Sequence, residues 1–196
     1  MAFSGTADMD IRAIKTNEAV FSAFLRLIET VSFSEITVKA ICKEARISRS
    51  TFYDHFEDKF NMLRELMQYL SDETAKDFVY FTETSPAAGS MLALSDQYTR
   101  LYREMFYNPE NAVMRDIYQT VISTDIAAKV RQNQGMEEDT PWLRVIGDFY
   151  ANGILSIIKL WCGGKISLDA AQMSACVRIL LANLHQSGSE MRSWFS

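Results

Sequence analysis

"TVKAICKEARISRSTFYDHF", Thr37 to Phe56, joins two short apolar-faced runs through a very short break, then crowds basic, hydroxyl and aromatic side chains together. Thr37 is placed to cap the first run, its hydroxyl accepting from a backbone N–H that the helix leaves unpaired. Val38, Ile41, Cys42 and Ala45 then share one helical face. Arg46-Ile47-Ser48 reads as the turn, and Ser48 as a second N-cap opening a third helix through Phe52 and Phe56. Two helices joined so tightly form a helix-turn-helix when they pack near a right angle. The crossing needs a small side chain, which Cys42 supplies, while Ile47 and Phe52 pin the second helix. Arg49, Ser50, Thr51, Tyr53 and His55 remain on the outside. That set suits duplex DNA, because Arg bonds guanine edges while hydroxyls reach phosphates. The bland alternative is an ordinary helix pair of an all-α protein, with the same face docking another protein.

The rest of the chain also reads as helical. With 8 Gly and 3 Pro in 196 residues, long stretches run without breakers, and alternating apolar–polar patterning stays too short for a sheet. Residues 1–10 read as a loose arm. Val20, Phe24, Leu27, Ile28 and Val31 give a first helix, and Asp58 is placed to cap a fourth through Phe60, Leu63, Met67 and Leu70. "TSPAAGS" (84–90) reads as a hinge and Asn108-Pro109 as a break. "QNQGMEEDTP" (132–141) reads as a polar loop, before closing helices over 142–162 and 168–186. The expected organisation is a helix-turn-helix domain over 1–60 and a larger helical domain over 61–196.

Hydrophobic residues make up 48% and charged residues 23%, as in ordinary globular proteins. The net charge is −5 and the isoelectric point about 5.1. That acidity argues against a generally basic nucleic-acid binder. Residues 37–53, however, set Lys39, Lys43, Arg46 and Arg49 against Glu44 alone among their carboxylates. Cys42, Cys162 and Cys176 have no metal-ligand spacing and no even count, which fits a reducing cytoplasm. No uninterrupted apolar run spans a bilayer, and "MAFSGTADMD" lacks a secretion signal's charge and apolar pattern. A glycine phosphate loop, G-x-S-x-G and H-E-x-x-H are all absent, so no enzyme activity is expected, and no metal or cofactor. His185 has no evident ligating partner.

The stretch "TVKAICKEARISRSTFYDHFEDKFNML" (37–63) resembles the DNA-binding signature of the TetR-type (tetracycline-repressor) bacterial regulators. The match runs through Thr37, Val38, Ile41, Ala45, Ser48, Thr51, Phe52, Tyr53, His55, Phe56, Lys59 and Leu63. The resemblance implies an all-α homodimer that binds double-stranded DNA at a near-palindromic operator, usually repressing transcription, and often a small-molecule effector. It places Thr37, Arg49, Ser50, Thr51, Tyr53 and His55 on the DNA surface and Lys59 on a phosphate. For Tyr53 the alternative is plain packing, and for His55 a bond to neighbouring backbone. Cys42 stands where the family has Ala. Arg46 stands where the family has the turn glycine, so Arg46 is expected to take a positive φ or to reshape the turn, gaining a phosphate contact.

In the larger domain Met173, Val177, Leu180 and Leu184 repeat in a 4-3-4 rhythm. Ile146, Phe149, Ile154, Ile157 and Trp161 cover more than one face of the helix before it, so two partners are expected. A four-helix bundle of the last two helices from each subunit meets that need, with Ile154, Ile157, Trp161, Met173, Val177, Leu180 and Leu184 at the seam; simple burial is the alternative. "FYANGILSIIKLWCGGKIS" (149–167) resembles regulators of dihydroxyacetone kinase operons, where this run lies on the dimer-forming helix. Tyr98, Tyr102, Phe106, Met114, Tyr118 and Phe149 are the candidate walls of an effector pocket, with core packing as the other reading.

Overall fold

The computed structural model describes residues 5–79, 99–133 and 140–169, and positions 172–173, 175–177 and 179–180 in the last helical stretch. Among them are seven α-helices and no strand. They are α1 (Gly5–Ile28), α2 (Val38–Ala45), α3 (Arg49–His55), α4 (Lys59–Val79), α5 (Thr99–Tyr107), α6 (Ala112–Asn133) and α7 (Pro141–Cys162). A 3₁₀ turn, Pro109–Asn111, separates α5 from α6, at the break expected from Asn108-Pro109. The expected hinge at 84–90, most of the loop at 132–141, and His185 lie outside the described residues.

Capping side chains set the helix starts. Thr37 accepts from the Ala40 N–H at 3.2 Å, and Ser48 from the Thr51 N–H at 2.9 Å. Asp58 accepts from the N–H groups of Phe60 and Asn61 at 2.8 and 2.7 Å. All three were expected as caps. Asp169 and Gln172 exchange reciprocal bonds of 3.0 and 2.9 Å, a capping box that opens the last helix just after the predicted start. At the front, α1 begins at Gly5, so residues 5–10 are helical and not a loose arm. Thr6, Ala7 and Met9 carry no breaker there, and α1 ends at Ile28, short of Val31.

The first three helices close over an aromatic core. Phe52 and Phe56 pack with ring centroids 5.3 Å apart, Phe21 lies 6.0 Å from Phe56, and Phe24 meets Phe33 edge-on. Along α4, Met62, Leu63, Leu66, Met67 and Leu70 are buried in the same continuous core, which runs on to α7. The expected domain boundary after residue 60 thus falls within the first turn of α4. Higher up, Asp125 of α6 accepts from Gln68 at 3.0 Å and from Ser71, both on α4. Helices α6 and α7 approach closely at Gly147, where a Cβ would sit 2.4 Å from the Ser123 carbonyl oxygen. Helix α7 is long and apolar enough by composition to cross a membrane. Its inner face, with Leu143, Ile146, Ala151, Ile154, Leu155 and Ile158, is buried against the chain itself.

Candidate nucleic-acid interface

The turn of the helix-turn-helix is built on Arg46, the one described non-glycine residue with positive φ (58°, ψ 39°). This is the left-handed geometry expected from its place in the turn. Its backbone N–H closes α2 onto the carbonyls of Cys42 and Lys43. A side chain in that region costs on the order of 1 kcal/mol relative to glycine. Cys42 is 4% exposed at the helix crossing, and burial raises its thiol pKa, so it packs as a small neutral group.

Ser48 and the start of α3 point to solvent. Arg49 and Ser50 are exposed, and Tyr53 keeps 49% of its surface while its ring meets Phe52 edge-on. The Arg49 guanidinium lies 5.8 Å from the Tyr53 ring centroid and 3.5 Å from its hydroxyl, so the two form one loose surface unit. Thr51 is half-buried, its hydroxyl 2.9 Å from that of Ser48, and Thr37 is exposed at the tip of α2. A groove of about 440 Å³ between α1 and α2 is edged by Arg26, Lys43 and Arg46, with Arg26 paired to Glu44 at 2.7 Å.

Two expected members of this face have other partners. His55 is half-buried, its Nδ1 2.8 Å from Asn17 Oδ1 on α1. Asn17 went unnoticed in the sequence because nothing local marks a contact spanning 38 residues. Lys59 donates to the carbonyls of Phe33, Ser34 and Ile36 at 3.0, 3.3 and 2.9 Å. An ammonium has three protons. In this structure the three carbonyls hold the ammonium for which a phosphate contact was expected.

A second polar cluster ties the helix-turn-helix to the larger domain, and the sequence reading missed it. Arg100 donates to the Ile28 carbonyl at 3.3 Å and pairs with the buried Glu104 at 2.8 Å. The amides of Asn108 and Asn111 each donate to Glu104, at 3.0 and 2.9 Å, and to the Ser32 hydroxyl, at 3.3 and 3.4 Å. An N-x-x-N step around a proline was legible only as a break.

Of the candidate pocket residues, Tyr102, Phe106, Met114 and Tyr118 gather in the core, with the Tyr102 and Tyr118 hydroxyls 3.5 Å apart. Burial raises the Tyr118 phenol above its ordinary range. Phe149 does not join them: it is 73% exposed on the outer face of α7. Tyr98 lies outside the described residues. Three members of the expected dimer seam turn inward as well. Ile154, Met173 and Val177 are buried inside the chain. Ile157 and Trp161 are half-buried, the indole donating to the Leu168 carbonyl at 2.8 Å. Only Leu180 of the described set is exposed, and Leu184 lies outside it. The outward apolar residues are instead Val145, Phe149 and Leu160, with Ile179 and Leu180 further along. On α7 the two sets lie on different sides of the helix, and apolar content alone does not fix which side turns inward.

Residues 21–66 match the family described as "Bacterial regulatory proteins, tetR family". An uncharacterized HTH-type transcriptional regulator of Bacillus subtilis, YxbF, is 36% identical over 61 residues, 31% of this chain and 16% of that protein. The HTH-type transcriptional regulator EthR of Mycolicibacterium smegmatis is 38% identical over 69 residues, 35% of this chain and 32% of that protein. The matches thus span less than a third of either relative. Over nearly the whole fold, the dihydroxyacetone kinase operon activator DhaS superposes with a TM-score of 0.52 at 18% identity, covering 87% of this chain and 96% of that one. That likeness is one of fold. Residues 21–66 thus resemble the DNA-binding domain of the tetR family of bacterial regulatory proteins, set within an all-α fold.

Proposed function

We propose that the protein represses transcription in the bacterial cytoplasm by binding a near-palindromic operator as a homodimer. The observation that carries this reading is the solvent face of α3, where Arg49, Ser50 and Tyr53 are exposed beside a turn fixed by Arg46. In this reading Arg49 takes base edges, while Thr37, Ser50, Thr51 and Tyr53 take phosphates and Arg46 a flanking one. His55 orients α3 through Asn17. Residues 1–60 act as the reading head and 61–196 as the pairing and effector-binding unit. The outer face of α7 (Val145, Phe149, Leu160), with Leu180, is the surface for the second copy. Pairing sets two copies of α3 about 34–36 Å apart, one turn of duplex. A small-molecule effector near Tyr102, Phe106, Met114 and Tyr118 would favour one spacing over another and so shift operator occupancy.

A gel shift with the DNA upstream of the protein's own gene tests this. Arg49→Ala should abolish the shifted band while circular dichroism stays helical, and Tyr53→Phe should weaken it. Retained binding in both variants, or no sequence preference in the wild type, would favour a protein-docking module instead.

A further inference from the structure

We infer that Lys59 is a positioning residue for DNA recognition: its ammonium holds loop 32–36 in the place from which Thr37 opens α2, and it takes no phosphate. The inference rests on the DNA-reading role proposed above. It departs from the role that the family resemblance assigns to this lysine.

The ammonium lies within hydrogen-bond distance of three loop carbonyls, those of Phe33, Ser34 and Ile36. The charge of this half-buried lysine also sits 4.6 Å from the centroid of the Phe33 ring and 5.6 Å from that of Phe60. Burial lowers the pKa of the group, as expected for a cation drawn away from water. Turning to a phosphate would strip a partner from at least one carbonyl and remove the cation from two aromatic faces.

Side-chain bonds add to the loop's hold: the Ser32 N–H donates to the Glu35 carboxylate at 3.3 Å, the Ser32 and Ser34 hydroxyls lie 3.2 Å apart, and the Ser34 hydroxyl donates to Glu110 at 3.4 Å. The loop's internal backbone bonds run from Glu35 N–H to Ser32 and from Ile36 N–H to Ser32 and Phe33, while Phe33 and Ile36 are buried as anchors. On another side the Ser32 hydroxyl receives the Asn108 and Asn111 amides of the larger domain. Thr37 follows Ile36 directly, so any drift of the loop moves the capped end of α2. Lys59 therefore sets where α2 begins relative to α4, without being a contact that releases counterions from DNA.

The test uses the full chain as wild type, Lys59→Met and Lys59→Arg. Binding to the upstream duplex is measured at several salt concentrations, and amide exchange at 33–38 without DNA. For Lys59→Met we expect affinity lower by about ten-fold or more, as for loss of charged hydrogen bonds. The slope of log affinity against log salt should stay unchanged, and exchange at 33–38 should quicken. Lys59→Arg should recover part of both, and it carries the test if the Met variant loses helicity. A slope shallower by about 0.9, the signature of one lost phosphate contact, with exchange unchanged, would overturn the inference. So would wild-type affinity in Lys59→Met. A wild type without sequence preference would remove the DNA-reading role itself, whereas a changed slope on a selective wild type removes only this inference.

Discussion

His55 Nδ1 and Asn17 Oδ1 lie 2.8 Å apart, joining the end of α3 to the middle of α1. Since an amide oxygen only accepts, the ring nitrogen donates, which fixes the ring's orientation beside Phe56. Asn17→Ala leaves this part-buried donor without its partner. The expected cost is about 1–3 kcal/mol of stability. Urea unfolding should show a lower midpoint at unchanged slope, and operator affinity should fall with it. An unchanged midpoint would mean that water replaces the amide fully.

Arg46 gives a prediction of opposite sign. Arg46→Gly relieves the left-handed backbone at φ 58° and should stabilise the fold by up to about 1 kcal/mol, whereas Arg46→Ala should bring no gain. Thermal unfolding of both variants reads this directly. If the guanidinium also takes a phosphate, both variants should flatten the salt dependence of DNA binding by about 0.9.

The two faces of α7 should respond differently. Phe149 is 73% exposed and Ile154 is 7% exposed. Phe149→Asp should shift the sedimentation equilibrium toward monomer while leaving the monomer folded. Ile154→Ala should cost about 2–5 kcal/mol in unfolding through the cavity it leaves, with pairing affected only as the fold fails. Dimerisation untouched by Phe149→Asp would move the pairing surface elsewhere.

Tyr118 sets a pH dependence. Burial raises its folded pKa above the ordinary 10.0, so below that pH both folded and unfolded forms keep the proton. As pH climbs past 10.0 the unfolded phenol ionises first, and stability is lost until the folded pKa is passed. Tyr118→Phe should flatten the alkaline fall in denaturation midpoint. At neutral pH it should cost no more than about 1 kcal/mol, for the long bond to Tyr102.

These cases mark what the sequence could carry. Thr37, Ser48 and Asp58 were legible as caps because each acts on an N–H two or three residues away. The left-handed turn at Arg46 was legible only through the family pattern, which has a glycine at that place. The partners of His55 and Lys59 were not legible, since a histidine or lysine on an exposed-looking position gives no sign of a carbonyl or amide brought up from far along the chain. Likewise, α7 showed that it has two apolar faces, but which one meets α6 depends on the close approach at Gly147.

The central claim is that two copies of α3 read one face of the duplex side by side. Hydroxyl-radical footprinting of the upstream region tests it most directly. The account predicts two protected stretches related by near-palindromic sequence, their centres about one helical turn (~10–10.5 base pairs) or a small multiple apart, both vanishing with Arg49→Ala. A single protected stretch, or uniform protection that follows charge alone and persists in Arg49→Ala, would contradict it.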